Sequence, residues 1–155
     1  MESTQEIHQE LARSTNGEVW KLLEKEERTA EDEHIMVDTA HASNYHWRRT
    51  GTVVNLQRGE WLLARVYTVL SHNQEALWHA KACLELTEKN PDKMQDFDVA
   101  YGYEAVARAQ ALAGAADLAS ANKDKARELG EKIADKESRN WFEADFNGGE
   151  WFGIE

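Results

Sequence analysis

Arg58, Trp61 and Arg65 fall at i, i+3 and i+7, and Tyr101, Glu104 and Arg108 repeat that spacing, so each trio shares one face of a helix. Side by side, the two trios offer three guanidiniums, two aromatic rings and a carboxylate. A guanidinium forks onto a carboxylate or phosphate through two parallel hydrogen bonds, and an aromatic ring anchors an apolar side chain. That chemistry is recognition of a ligand. The same residues also fit an internal network, in which Arg65 pairs with Glu104, Arg58 pairs with Glu60 or a carboxylate of the first hairpin, and Trp61 is core. Both readings are open on the sequence.

Four histidines, His34, His41, His46 and His79, raise a metal reading that their spacing does not support. His41 and His46 diverge on a helix, and His34 and His41 are two turns apart. His79 and Cys83 share a face, yet Cys83 stands where a small packing residue belongs. Neither HExxH nor a paired CxxC occurs, so no metal and no cofactor is expected. A Cys83–His79 thiolate pair is the one nucleophilic arrangement available. No glycine-rich phosphate loop or nucleophile elbow accompanies it, and no catalytic residue is expected. His41 and Tyr45, one turn apart, are candidates to border a groove as hydrogen-bonding groups. A small-molecule-binding or enzymatic protein would use them together with His79.

The aromatic tail is the other unusual feature. Trp141, Phe142, Phe146, Trp151 and Phe152 crowd the end of the chain and are too apolar to leave in water. They cap the last hairpin, or Trp151-Phe152 and the acidic Glu155 dock into a groove. That groove could belong to this chain or to a second copy, giving a homodimer.

These residues need helices to position them, and the composition supplies them. The chain has 155 residues, 41% hydrophobic and 30% charged, with one proline, which suits one all-helical domain over 1–155. Acidic residues outnumber basic ones 29 to 18, for a net charge of −11. Such a field repels polyphosphates and anionic lipid surfaces, so neither nucleic acid nor membrane is an expected partner, although a local basic pocket fits. A single cysteine makes no internal disulfide, the polar start is no signal peptide, and no apolar run approaches the roughly 20 residues that span a bilayer. A cytoplasmic location is the expectation.

Apolar periodicity marks helices with short breaks between them. The first runs from Thr4 to about Glu27 and is read as continuous through Asn16-Gly17. Thr29 caps the second, which stops at Gly51. Thr52 caps the third, and Ser71 to Asn73 break it before a fourth ends at Asn90-Pro91. Asp96 or Asp98 opens the fifth, and two more occupy roughly 117–134 and 136–146. Short connections make neighbours antiparallel.

Sliding the chain against itself by 43 residues aligns Leu63 with Val106, Ala64 with Ala107, Ala76 with Ala119 and Cys83 with Ala126. A fixed period with small residues at the tight points is the mark of stacked helical hairpins. On Leu63, Ala64, Tyr67, Ala76, Ala80, Cys83 and Pro91, the stretch Glu60–Asn90 resembles a tetratricopeptide (TPR) repeat. Tyr103–Ala134 resembles it through Val106, Ala107, Gly114, Ala119 and Ala126, and departs at Gln110 and Lys123, where aromatic and small residues are usual. The period also exceeds the usual repeat of about 34 residues. Ala40 to Trp47, Arg58-Gly59-Glu60-Trp61, Asp96-Phe97-Asp98 and Tyr103-Glu104-Ala105 resemble a group of bacterial repeat-like proteins without an assigned activity.

The resemblance implies a fold and a use. The fold is an all-α, TPR-like stack of three antiparallel hairpins, about 4–50, 52–90 and 95–134, with a capping helix at 136–146 and a tail at 147–155. The first helix of each hairpin would line a concave groove, placing Arg58, Trp61, Arg65, Tyr101, Glu104 and Arg108 there, with His41 and Tyr45 at its border. The expected function is non-enzymatic binding of a peptide or protein segment, carboxylate-bearing in the favoured case.

Overall fold

A computed structural model describes residues 1–155 as seven helices and no strand. They are α1 (Thr4–Leu23), α2 (Ala30–Thr50), α3 (Val53–Val69), α4 (Asn73–Lys89), α5 (Asp96–Leu112), α6 (Ala116–Glu131) and α7 (Lys136–Asn147). Each start has a local cause. Ser3 and Glu6 form a reciprocal capping box on α1, and Thr29 and Asp32 do the same on α2. Asp135 caps α7 by accepting from the Ser138 N–H. The helix α5 is opened by Gln95, not by Asp96 or Asp98. Asp98 lies in the first turn and accepts from the Gln95 N–H at 3.0 Å.

Neither Asn16 nor Gly17 interrupts α1. Gly17 has no neighbour within 4 Å of where a Cβ would stand, so it fills no packing role and simply weakens an exposed stretch of helix.

The 43-residue period is built into the backbone. α2, α4 and α6 begin at residues 30, 73 and 116, and α3 and α5 at 53 and 96. Even the turns repeat. Ser71 and Gly114 both hold left-handed backbone, with φ of 63° and 81°. The following N–H then reaches back into the helix, from His72 to the Tyr67 carbonyl and from Ala115 to that of Gln110.

The helices stack as hairpins, α1 with α2, α3 with α4 and α5 with α6, and α3 also packs on α5. Close approach depends on small residues: Ala64, Ala76, Ala80 and Cys83 in one hairpin, and Ala107, Ala119 and Ala126 in the next, are all buried. Glycines bring the hairpins together. A Cβ on Gly59 of α3 would overlap the Asn44 carboxamide of α2, and one on Gly102 of α5 would come within 2.9 Å of Thr87 Oγ1 of α4. Asn44 and Thr87 are themselves one period apart, so each hairpin meets the next through the same contact.

Two apolar cores result. The larger joins α1 to α5 around Leu63, Val66, Met36 and Val19, and the smaller packs Phe142 and Phe146 of α7 on Ala100, Ala126 and Ile133. Helix α7 therefore covers the open end of the last hairpin. No helix is long and apolar enough to cross a membrane.

Candidate functional site

The two trios do meet, because α3 packs on α5 with their matching faces together. What they build is mostly internal. Glu104 is 1% exposed and receives three donors: Trp61 Nε1 at 2.7 Å, Arg108 Nε at 2.8 Å and Arg65 Nη1 at 3.4 Å. Trp61 is thereby fixed edge-on, with Trp20 of α1 stacked on it at 5.7 Å and Tyr101 against it at 5.2 Å. A carboxylate with this many charged and aromatic donors is fully satisfied, which is the condition for burying it.

Arg108 is the most committed of the arginines. Besides Glu104, its Nη1 donates to the carbonyls of Gly148 and Glu150, and its Nη2 to those of Asp145 and Phe146. It satisfies the orphan carbonyls at the end of α7 and straps residues 148–154 onto α5. Trp151 stacks beneath it at 4.1 Å, with Lys123 Nζ at 4.4 Å from the same ring. Lys123 also donates to the Ile154 carbonyl at 2.8 Å, and the Trp151 indole N–H donates to the Phe146 carbonyl. Lys123 therefore stands in a small-residue position because it reaches past it to hold the strap. Burial lowers the pKa of both Arg108 and Lys123. The other departure, Gln110, accepts from Asn122 at 2.8 Å.

Arg58 pairs with Asp98 of the third hairpin, through Nε at 2.8 Å and Nη2 at 3.2 Å. Neither Glu60 nor the first hairpin supplies its partner, because the α3–α5 packing brings the first turn of α5 alongside Arg58. Its side chain stays 46% exposed and lies over Phe97 at 5.1 Å.

Beside this pair opens a cleft of about 250 Å³, walled by Trp20, Trp61, Phe97 and Tyr101, with Arg58 and Asp145 at its polar edge. Tyr101 donates to Asp145 Oδ2 at 2.6 Å. Burial and that bond push the phenol pKa far up, so Tyr101 remains a donor. Burial raises the Asp145 carboxyl above the usual range. A second cleft, of about 450 Å³, lies at the far ends of α1 and α3 beneath the strap, and is lined by Arg28, Arg65 and Arg108 among others.

The remaining candidates lie elsewhere. His41 Nε2 and the Tyr67 hydroxyl are 2.7 Å apart, and His79 pairs with Glu60 Oε2 at 2.6 Å while stacking on Tyr67 at 5.5 Å. Glu60 also accepts from Asn44 and faces Arg48, so this network ties α2, α3 and α4 together. Tyr45 is 55% exposed, beside the His8–His46 pair. His41, Tyr45 and His79 line neither cleft. Cys83 is fully buried, and burial pushes its thiol pKa well up, which opposes thiolate chemistry with His79.

Trp20, Phe97, Asp98, Asp145 and Arg28 were not among the residues the sequence singled out for a site. Trp20 and Phe97 sit in helix faces that periodicity marks only as apolar, and Asp98 looked like a cap alone. Arg28 stands in the α1–α2 connection, where no periodicity exists to place it.

No protein-family model, no curated protein and no solved structure matches the chain.

Proposed function

We propose that this chain is a non-enzymatic, TPR-like binding module, akin to the bacterial repeat-like group, that takes a peptide or protein segment on the face shared by α1, α3 and α5. One observation carries the proposal. Four aromatic rings, of Trp20, Trp61, Phe97 and Tyr101, front an open cleft of about 250 Å³ instead of closing into the core. Aromatic walls with a few fixed polar groups suit an apolar or aromatic anchor side chain, and the half-exposed Arg58 guanidinium at the edge suits a carbonyl or carboxylate of the same segment. The walls are preorganised, since the Glu104, Asp98 and Asp145 bonds hold Trp61, Arg58 and Tyr101 in place before any ligand arrives.

The stripe divides into supports and contacts. Glu104 and Arg108 support the fold of the face, whereas Arg58, Arg65, Trp61 and Tyr101 can touch a ligand. The rival, an enzyme using His41, Tyr45 and His79, gains no support from these positions, which line neither cleft.

Peptides selected from a display library on the intact chain test the proposal. Arg58→Ala and Trp20→Ser should weaken the selected peptides by about tenfold or more, while Tyr45→Ala should leave them bound. Equal affinity across all four proteins would remove this face from consideration.

A further inference from the structure

The second cleft carries a chemistry of its own. It opens between the C-terminal end of α1, the C-terminal end of α3 and the strap, and three guanidiniums line it on a chain whose net charge is −11. Arg108 is spent on Glu104 and four carbonyls. Arg65 is not. It makes one hydrogen bond, at 3.4 Å, to the Glu104 oxygen that already binds Arg108 at 2.8 Å. Its Nε and Nη2 donate to nothing in the chain. Its side chain is nonetheless only 15% exposed, so it is held in the cleft and does not wave in solvent.

Arg28 adds an independent observation. Its Nη1 spans the carbonyls of Leu22, Leu23 and Lys25 at the end of α1, which fixes the guanidinium, while its Nε is buried and has no acceptor. A buried charged donor without an acceptor is costly and calls for one. The strap contributes a glycine where the arginines need it. Gly149 has a φ of 71°, and a Cβ there would come within 2.9 Å of Arg65 Nη2 and 3.1 Å of Arg108 Nη1.

We infer that this cleft binds an oxyanion, a carboxylate or a phosphate monoester carried on a small uncharged apolar body, with Arg65 as its principal ligand and Arg28 assisting. At about 450 Å³ the space is too large for an ion alone and lies within the roughly 300–1,000 Å³ of small-molecule sites. Trp20, Leu23, Val69 and Phe152 supply apolar wall for the body. Glu24 and Glu150 also line the cleft and repel negative charge spread along the ligand, so the anionic head belongs at the arginine end. The inference shares α1 and α3 with the binding-module reading and rests on it only for that face.

Titration calorimetry of the full chain with phenyl phosphate, benzoate and benzyl alcohol tests it. Both anions should bind, and the neutral alcohol should bind at least about tenfold more weakly. Tighter phenyl phosphate assigns a phosphate monoester, and tighter benzoate assigns a carboxylate. Arg65→Met should cost either anion about tenfold and Arg28→Met severalfold, while Glu150→Gln should tighten both. Equal binding of the alcohol, no binding of either anion, or unchanged affinity in Arg65→Met would overturn the site. Should Arg65→Met not fold, unchanged affinity in Arg28→Met overturns it instead. Arg58→Ala should leave these small anions bound, so failure here and failure of the peptide cleft are read separately.

Discussion

Arg65 and Arg108 occupy the same place in successive hairpins, one period of 43 residues apart, on helices that pack together. Their surroundings differ. Arg108 is 2% exposed, bonds to Glu104 and to four main-chain carbonyls, and covers Trp151. Arg65 shares one oxygen of the same glutamate and otherwise faces a cleft. The repeat thus fixes where a guanidinium stands, and whatever follows in the chain decides what it does. After α5 and α6 come α7 and the strap, which cover Arg108. Nothing comparable follows α3 and α4, and Arg65 keeps unused donors.

The comparison predicts unequal costs for equal substitutions. Arg108→Met should destabilise the chain by about 3–5 kcal/mol, since it leaves buried Glu104 short of its closest cation and the end of α7 uncapped. Arg65→Met should cost about 1 kcal/mol or less, because Glu104 keeps Arg108 and the Trp61 indole. Denaturant unfolding measures both, and similar values would mean that the two positions are equivalent after all.

The glycine contacts come next. Gly59→Ala should cost about 2–3 kcal/mol and Gly102→Ala about 1 kcal/mol, because the first collides with the buried Asn44 carboxamide and the second only crowds Thr87 Oγ1. A reversed order would show that the α2–α3 contact yields more easily than the α4–α5 contact. For the strap, Lys123→Met should cost about 1.5 kcal/mol and release the last residues first. Faster proteolytic trimming of the tail with an unchanged core transition is the expected signature.

The smallest effect concerns the α2–α3–α4 network. Burial lowers the His41 pKa from its ordinary 6.5, helped by the neighbouring His79 and opposed by Glu60 and Asp38. A base whose folded pKa is depressed favours the folded state above pH 6.5 and loses that advantage as pH falls through the folded value. The melting temperature of the wild type should therefore drop relative to His41→Asn below pH 6.5, by no more than about 2 °C. A rise on acidification would reverse the assigned direction.

Much of the fold was legible in the sequence, for identifiable reasons. Thr29 and Gly51 bound α2 because capping chemistry is local, and the small residues at 64, 76, 80 and 83 announced close helix packing. The site was legible only halfway. Spacing placed Trp61, Arg65, Glu104 and Arg108 on matching faces, and the Arg65–Glu104 pair was one of its two readings. It could not show that Asp98 takes Arg58, or that the tail's carbonyls take Arg108, because those partners come from residues 40 or so positions away whose types, a capping aspartate and bare main chain, carry no distinguishing signal. Lys123 was the exception. A lysine at a small-residue position was a visible anomaly, and the strap explains it.

The strap is gripped by its main chain. Arg108 and Lys123 recognise carbonyl oxygens, which every residue offers, and only Trp151 and the left-handed Gly149 and Gly153 give that segment an identity of its own. The address is therefore written in very few letters. Any extended segment with an indole between two suitably spaced glycines would satisfy the same clasp, so this end of the molecule is a socket for rewritten tails, tolerant of sequence drift and ready for grafting.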